Sequence, residues 1–76
     1  MPPMAEGVTK VAVAKTIEII ASSTEGIDDA VRSGISKVSE TVKGIEGAWI
    51  KDTKVVVTAG RVVEWRVTMV VTFIVD

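Results

Sequence analysis

The spacing of apolar residues changes twice along this chain, and each change predicts an element. Between Val11 and Ile20 the pattern alternates, with Val11, Val13, Ile17 and Ile19 on one side and Ala12, Ala14, Thr16 and Glu18 on the other. A period of two in a β-branched run predicts a strand. The small polar run ASSTEG follows, with hydroxyls suited to accept from free backbone N–H groups at a helix entrance. Glu25, Asp28 and Asp29 then fall where a helix dipole favours negative charge. From there the step lengthens to three and four: Ile27, Val31, Ile35, Val38, Val42 and Ile45 form one apolar stripe, which predicts a helix running to the stop signals Gly44 and Gly47. Ala30 and Gly34 lie beside the stripe and are small enough to let the helix approach a sheet closely. Gly34 costs about 1 kcal/mol relative to Ala in a helix interior.

Two more strands are predicted, Ala48 to Thr58 and Arg61 to Val75, joined at TAGR, where Gly60 supplies the positive φ of a tight hairpin. In the last strand Val63, Trp65, Val67, Met69, Val71, Phe73 and Val75 hold one face, and Glu64, Arg66, Thr68 and Thr72 the other. Val62, Val70 and Ile74 make that second face half apolar, as in a central strand. A helix returning the chain between strands one and two makes them parallel to each other, so the last strand runs antiparallel to both and sits between them. The expected fold is α+β, β-α-β-β, a three-stranded sheet with the last strand central and one helix packed on the Trp65, Met69 and Phe73 face. Residues 1–8, with both prolines, read as a flexible arm, and 9–76 as one domain with order beginning near Thr9.

Composition decides how such a chain can be stable. Seventy-six residues bury only about 60% of the surface their unfolded form exposes. Chains under roughly 80 residues usually need disulfides, a metal or a partner chain. With no Cys and no His, self-association remains, and 47% hydrophobic residues with a mean hydropathy of +0.41 point the same way. Nine basic against ten acidic residues give a net charge of -1, so no long-range field exists to gather nucleic acid or an anionic membrane. Charged residues and Thr interrupt every apolar run well short of the roughly 20 positions a membrane helix needs. MPPMAEG has neither a basic nor an apolar signal region, so a cytoplasmic location is expected.

Catalysis finds no support, since no nucleophile, Walker or metal-ligand signature is present and the carboxylates are not paired. The acids of TEGIDD lack the spaced oxygens of a calcium loop and read as a solvated helix start. What remains is the sheet face that one helix cannot cover, bearing Arg66 and Thr68, which calls for another subunit, a ligand, or both. Trp49, at the head of the second strand, is either a core or interface plug or a flat surface for stacking. Trp65 belongs with the core. Lys51, Lys54 and Arg61 are either a cationic rim for a phosphate tail or a solvated hairpin.

The stretches KTIEIIASS, STEGIDDAV, RSGISKVSETVKGI and EWRVTMVVTF, in this order and spacing from Val13 to Phe73, resemble the dodecins, small β-α-β-β proteins that assemble as hollow dodecamers and bind flavins. The resemblance implies a homododecamer that stores or sequesters a flavin such as riboflavin, FMN or a lumichrome-type ring, with no enzymatic turnover. In flavin-binding dodecins a Trp at the head of the second strand stacks on the ring and a Gln on the last strand bonds its polar edge. Counting back from Gly60, those positions are Gly47 and Arg66 here, and both differ. Trp49, two residues on, returns to the same face as Gly47 unless a bulge near GIEG resets the alternation. Arg66 offers only donors, so it suits a flavin carbonyl or a phosphate, or else pairs with Glu64 as a structural charge. The candidate ligand-binding residues are therefore Trp49, Arg66, Gly47 and Thr68. The other reading is a dodecin-type shell that has lost its flavin and serves structurally or binds another charged small molecule or ion. Coenzyme A, which the resemblance associates with some members, stays open.

Overall fold

The computed structural model describes residues 12–75; the expected arm, residues 1–8, and the onset of order near Thr9 lie outside them. Alternation continues further than the composition of ASSTEG suggests, so β1 spans Val13–Ser23 rather than ending at Ile20. Ala21, Ser22 and Ser23 are ladder residues opposite Val67, Arg66 and Trp65. A long partner strand satisfies their backbone groups, and that outweighs their turn propensity. The expected hydroxyl contact forms three residues before the N-cap: Ser23 Oγ accepts from the N–H groups of Glu25 at 2.8 Å and Gly26 at 3.4 Å and donates to Asp29 at 2.7 Å. Gly26 itself is the N-cap, with no side-chain cap.

Helix α1 covers Ile27–Val38, which corrects the expected extension through Val42 and Ile45. Ser39 is its C-cap, and the Ser39 hydroxyl shares its proton between the carbonyls of Ile35 at 2.8 Å and Ser36 at 3.0 Å, answering acceptors that a helix end leaves open. Glu40 and Thr41 then donate to Lys37 and Val38, three residues back, tightening the last turn. Gly44, at φ 76, turns the corner after the helix has already stopped, and its carbonyl accepts from Ile74 N–H at 3.0 Å. Ile45 therefore opens β2 opposite Phe73, three residues before the expected start at Ala48. β2 spans Ile45–Thr58 and β3 Arg61–Val75.

The strand order is β1-β3-β2, both pairs antiparallel, as the element order requires. At the hairpin both Ala59, φ 52, and Gly60, φ 76, have positive φ, the pattern of a primed type I turn. Only Gly60 is flagged by sequence, and Ala59 costs about 1 kcal/mol in this conformation. A bulge lies beside it, since Val56 opposes Glu64 while Val57 opposes Val62. Val63 is the extra residue, so the strict alternation expected along β3 holds from Val75 to Glu64 and is reset beyond.

The core is small and sits where α1 meets β1 and β3. Ala30, Val67, Met69 and Val71 are fully buried, with Ile19, Ala21, Val31 and Ile35 packed around them. Gly34 explains the close seating: a Cβ built there would meet Ala21 Cβ at 2.8 Å and Met69 Cε at 3.1 Å. Twelve helical residues extend about 18 Å, whereas fifteen strand residues extend roughly 50 Å. The helix thus shields only part of its own face. Trp65 and Phe73, expected beneath it, are half-buried, and Ile50 and Val55 on β2 are exposed. The Cα radius of gyration, 15.9 Å, exceeds the roughly 11 Å of a compact domain of this length.

Candidate functional site

Residues directly opposite in an antiparallel ladder share a face, so the register assigns the residues of the uncovered side row by row. Arg66 stands between Ser22 and Lys54, Thr68 between Ile20 and Asp52, Val70 between Glu18 and Trp49, and Thr72 between Thr16 and Gly47. Three of the four expected site residues thus occupy different rows, and Gly47 a fourth, all on one face. The irregularity in the GIEG joint falls between Ile45 and Gly47, with Glu46 as the extra residue. It precedes Gly47, so the alternation that puts Trp49 on the same side is intact.

Trp49 is 56% exposed and Ile20, in the adjacent row, 69% exposed. The indole is therefore no part of the chain's own core. A second bulge between Ile50 and Asp52 adds Lys51, whose Nζ reaches Glu18 Oε1 on the far strand at 3.1 Å. This bridge passes beside the Trp49 row and was not foreseeable without the bulge, since Lys51 and Glu18 belong to strands that do not touch. It also removes Lys51 from the expected cationic rim. Arg61 stands opposite Thr58 at the hairpin, about 17 Å along β3 from Arg66. Of the three rim candidates only Lys54 adjoins Arg66.

Arg66 does pair with Glu64: Nε donates to Oε2 at 3.1 Å. That hydrogen bond, and secondarily one from the Ser22 hydroxyl, hold the Glu64 carboxyl below the ordinary glutamate range against an opposing desolvation. A carboxyl depressed in the folded state stabilises the fold at pH values above its unfolded value and loses that contribution as pH falls through the folded value. The stability difference between wild type and Glu64→Gln is therefore expected to be present at neutral pH and to vanish in acid. Denaturant midpoints across the pH range check this; a difference that grows in acid has the wrong sign.

Distances along the face limit what one ligand can touch. Rows bearing Trp49 and Arg66 are about 14 Å apart at the usual strand rise, and Gly47 and Arg66 about 20 Å. One ring cannot contact both members of either pair at close range from a single chain. Two clefts of the chain lie elsewhere. One of about 420 Å³ is lined by Ser22, Ser23, Thr24, Glu25, Asp29 and Glu64, and its carboxylates repel an anion. Another of about 350 Å³ runs between β1 and α1 past Gly34 and Lys37. Neither includes Trp49 or Arg66, and the indole stands exposed on the open sheet face. Among the described residues no group of three or more His, Cys, Asp or Glu side chains could hold a metal ion, and no helix is long and apolar enough to cross a membrane.

With this geometry in hand, comparison with known proteins is specific. The family model described as Dodecin matches residues 13–76. A dodecin from Streptomyces davaonensis is similar at 28% identity and a TM-score of 0.84, covering 88% of this chain and 98% of that one. A dodecin from Streptomyces coelicolor shares the fold at 22% identity and a TM-score of 0.82, covering 86% and 93%. A calcium dodecin from Mycobacterium tuberculosis, described as calcium-chelating, shares it at 24% identity and a TM-score of 0.72, covering 80% and 87%. No curated protein matches the chain.

Proposed function

This chain belongs to the dodecin family, and from that membership we propose that it is a cytoplasmic homododecamer that binds and sequesters a flavin of the riboflavin, FMN or lumichrome type. The observation that carries the reading is Trp49, an exposed indole on the sheet face that α1 leaves open. Copies closing around that face would cover Ile20, Val70 and the indole together, and would supply the walls a single chain lacks. The row spacing supports the same arrangement, because a ring stacked on one copy's Trp49 reaches an Arg66 at close range only if another copy brings it. Stacking and water exclusion need geometry alone, so the reading asks for no turnover. A net charge of -1 gives no reason to invoke nucleic acid or a membrane surface.

Tryptophan and flavin emission should quench mutually when riboflavin or FMN is added at micromolar concentration. Trp49→Ala should weaken binding by roughly 10- to 100-fold, the usual worth of one aromatic stacking platform. Because Trp65 also emits, Trp65→Phe isolates the Trp49 signal. Unchanged emission from protein and ligand alike would sink the flavin reading. A monomeric mass in solution would sink the assembly.

A second reading has its own support: Glu64 already occupies Arg66, and Gly47 offers no side chain where flavin-binding relatives carry the stacking Trp. It makes the protein a dodecin-type shell without flavin, structural or holding an ion, as the calcium-chelating relative does. An assembled dodecamer indifferent to flavins is its expected outcome.

A further inference from the structure

Two cations face each other directly in the β2/β3 ladder, Lys54 opposite Arg66. Like charges in that position are destabilising, and only one carboxylate answers them. Glu64 accepts from Arg66 Nε at 3.1 Å. Among the described residues Lys54 has no carboxylate partner, and the two Nη groups of Arg66 donate to no protein acceptor. The fork that binds an oxyanion bidentately is thus the unused part of the guanidinium. Both groups open onto the face that carries Trp49, about 14 Å away along β3; the row between them holds Ile20, Thr68 and one acid, Asp52, and Glu18 in the Trp49 row is already bridged by Lys51.

We propose that Arg66 and Lys54 form an anion-selecting site, so that the ligand is a flat ring bearing a phosphate, and that Glu64 is a competitor the phosphate displaces from Arg66. This deepens the flavin reading and rests on it: the ring lies on Trp49 and a short phosphorylated tail runs along the sheet to the two cations. Glu64 keeps the empty site from carrying two uncompensated positive charges, at the expense of affinity for the anion. The arrangement discriminates against a neutral ring, which would leave Arg66 bonded to Glu64 and Lys54 unanswered.

The test titrates the assembled protein with FMN, riboflavin and inorganic pyrophosphate, following emission for the flavins and heat for pyrophosphate. FMN should bind tighter than riboflavin by roughly tenfold or more at low salt, the worth of one charge-assisted hydrogen bond, and salt should shrink the difference. Arg66→Gln and Lys54→Met should each remove most of the preference, and Glu64→Gln should enlarge it. Equal affinity for FMN and riboflavin overturns the anion site and leaves the flavin reading standing. Pyrophosphate binding that depends on Arg66, without binding of either flavin, overturns the flavin reading and keeps the anion site. Silence from all three overturns both. A tighter grip on FMN in Arg66→Gln means the guanidinium obstructs, and also overturns the proposal. The mass of each variant confirms that it still assembles.

Discussion

Met69→Ala should lower the free energy of unfolding by about 3 kcal/mol or more, within the range of Met-to-Ala truncations in cores. Met69 is fully buried at the middle of the central strand, opposite Ile19 on β1 and Ile50 on β2, and its methyl group lies under Gly34. Removing it empties the contact that joins β1 and β3 to the helix. Few other groups can compensate, since only Ala30, Val67 and Val71 are buried as completely among the described residues. For a small domain such a loss is a large share of the total. The readout is a lower denaturant midpoint at an unchanged slope, accompanied by a lower assembled fraction if the subunits hold one another. A loss under about 1 kcal/mol would mean that the helix settles into the space, and that the close seating at Gly34 is not rigid.

Gly34→Val comes next in size, with an expected cost of about 2 to 3 kcal/mol from overpacking. The new Cβ would stand 2.8 Å from Ala21 Cβ, which hangs directly from the β1 backbone and cannot swing aside. The helix must lift, and Met69 and Val67 lose contact with it. Gly34→Ala separates the terms, because the same Cβ clashes but Ala gains about 1 kcal/mol of helix propensity. A modest net loss is expected there. Combining Gly34→Ala with Ala21→Gly removes the opposing atom, so the pair should be more stable than the sum of the single changes predicts. Additive effects would show that the two Cβ positions do not meet, and that Gly34 is present for another reason.

Much of the frame is legible before any coordinates. The period-two and period-four runs locate all four elements, and the β-α-β-β order with one returning helix leaves little choice but a central last strand. The smallness of Ala30 and Gly34 beside the apolar stripe foretells a close helix-sheet contact. Errors cluster at element ends. Val42 and Ile45 continue the helical stripe by spacing, yet the helix ends at Val38 with Ser39 as its cap, and Ile45 is drawn into the sheet opposite Phe73. Ala21 to Ser23 look like a turn but are held in the sheet by Val67, Arg66 and Trp65. In both places long-range or side-chain hydrogen bonding overrides local preference.

The candidate site was legible as a set of residues and not as an arrangement. Spacing puts Gly47 and Trp49 on one side provided no bulge intervenes, and whether one does is decided by how β2 must shift to meet β3. The same shifts create the Lys51 to Glu18 bridge and bring Lys54 opposite Arg66. No period in the chain encodes either contact.

By itself, then, the sequence determined the elements, their order and the need for cover, because these follow from short-range periodicity and from how little surface so short a chain can hide. Tertiary structure alone decided which residues confront one another across the open face. Each bulge displaces the register by one residue, and one residue is the difference between a side chain in solvent on one face and a side chain against the helix on the other.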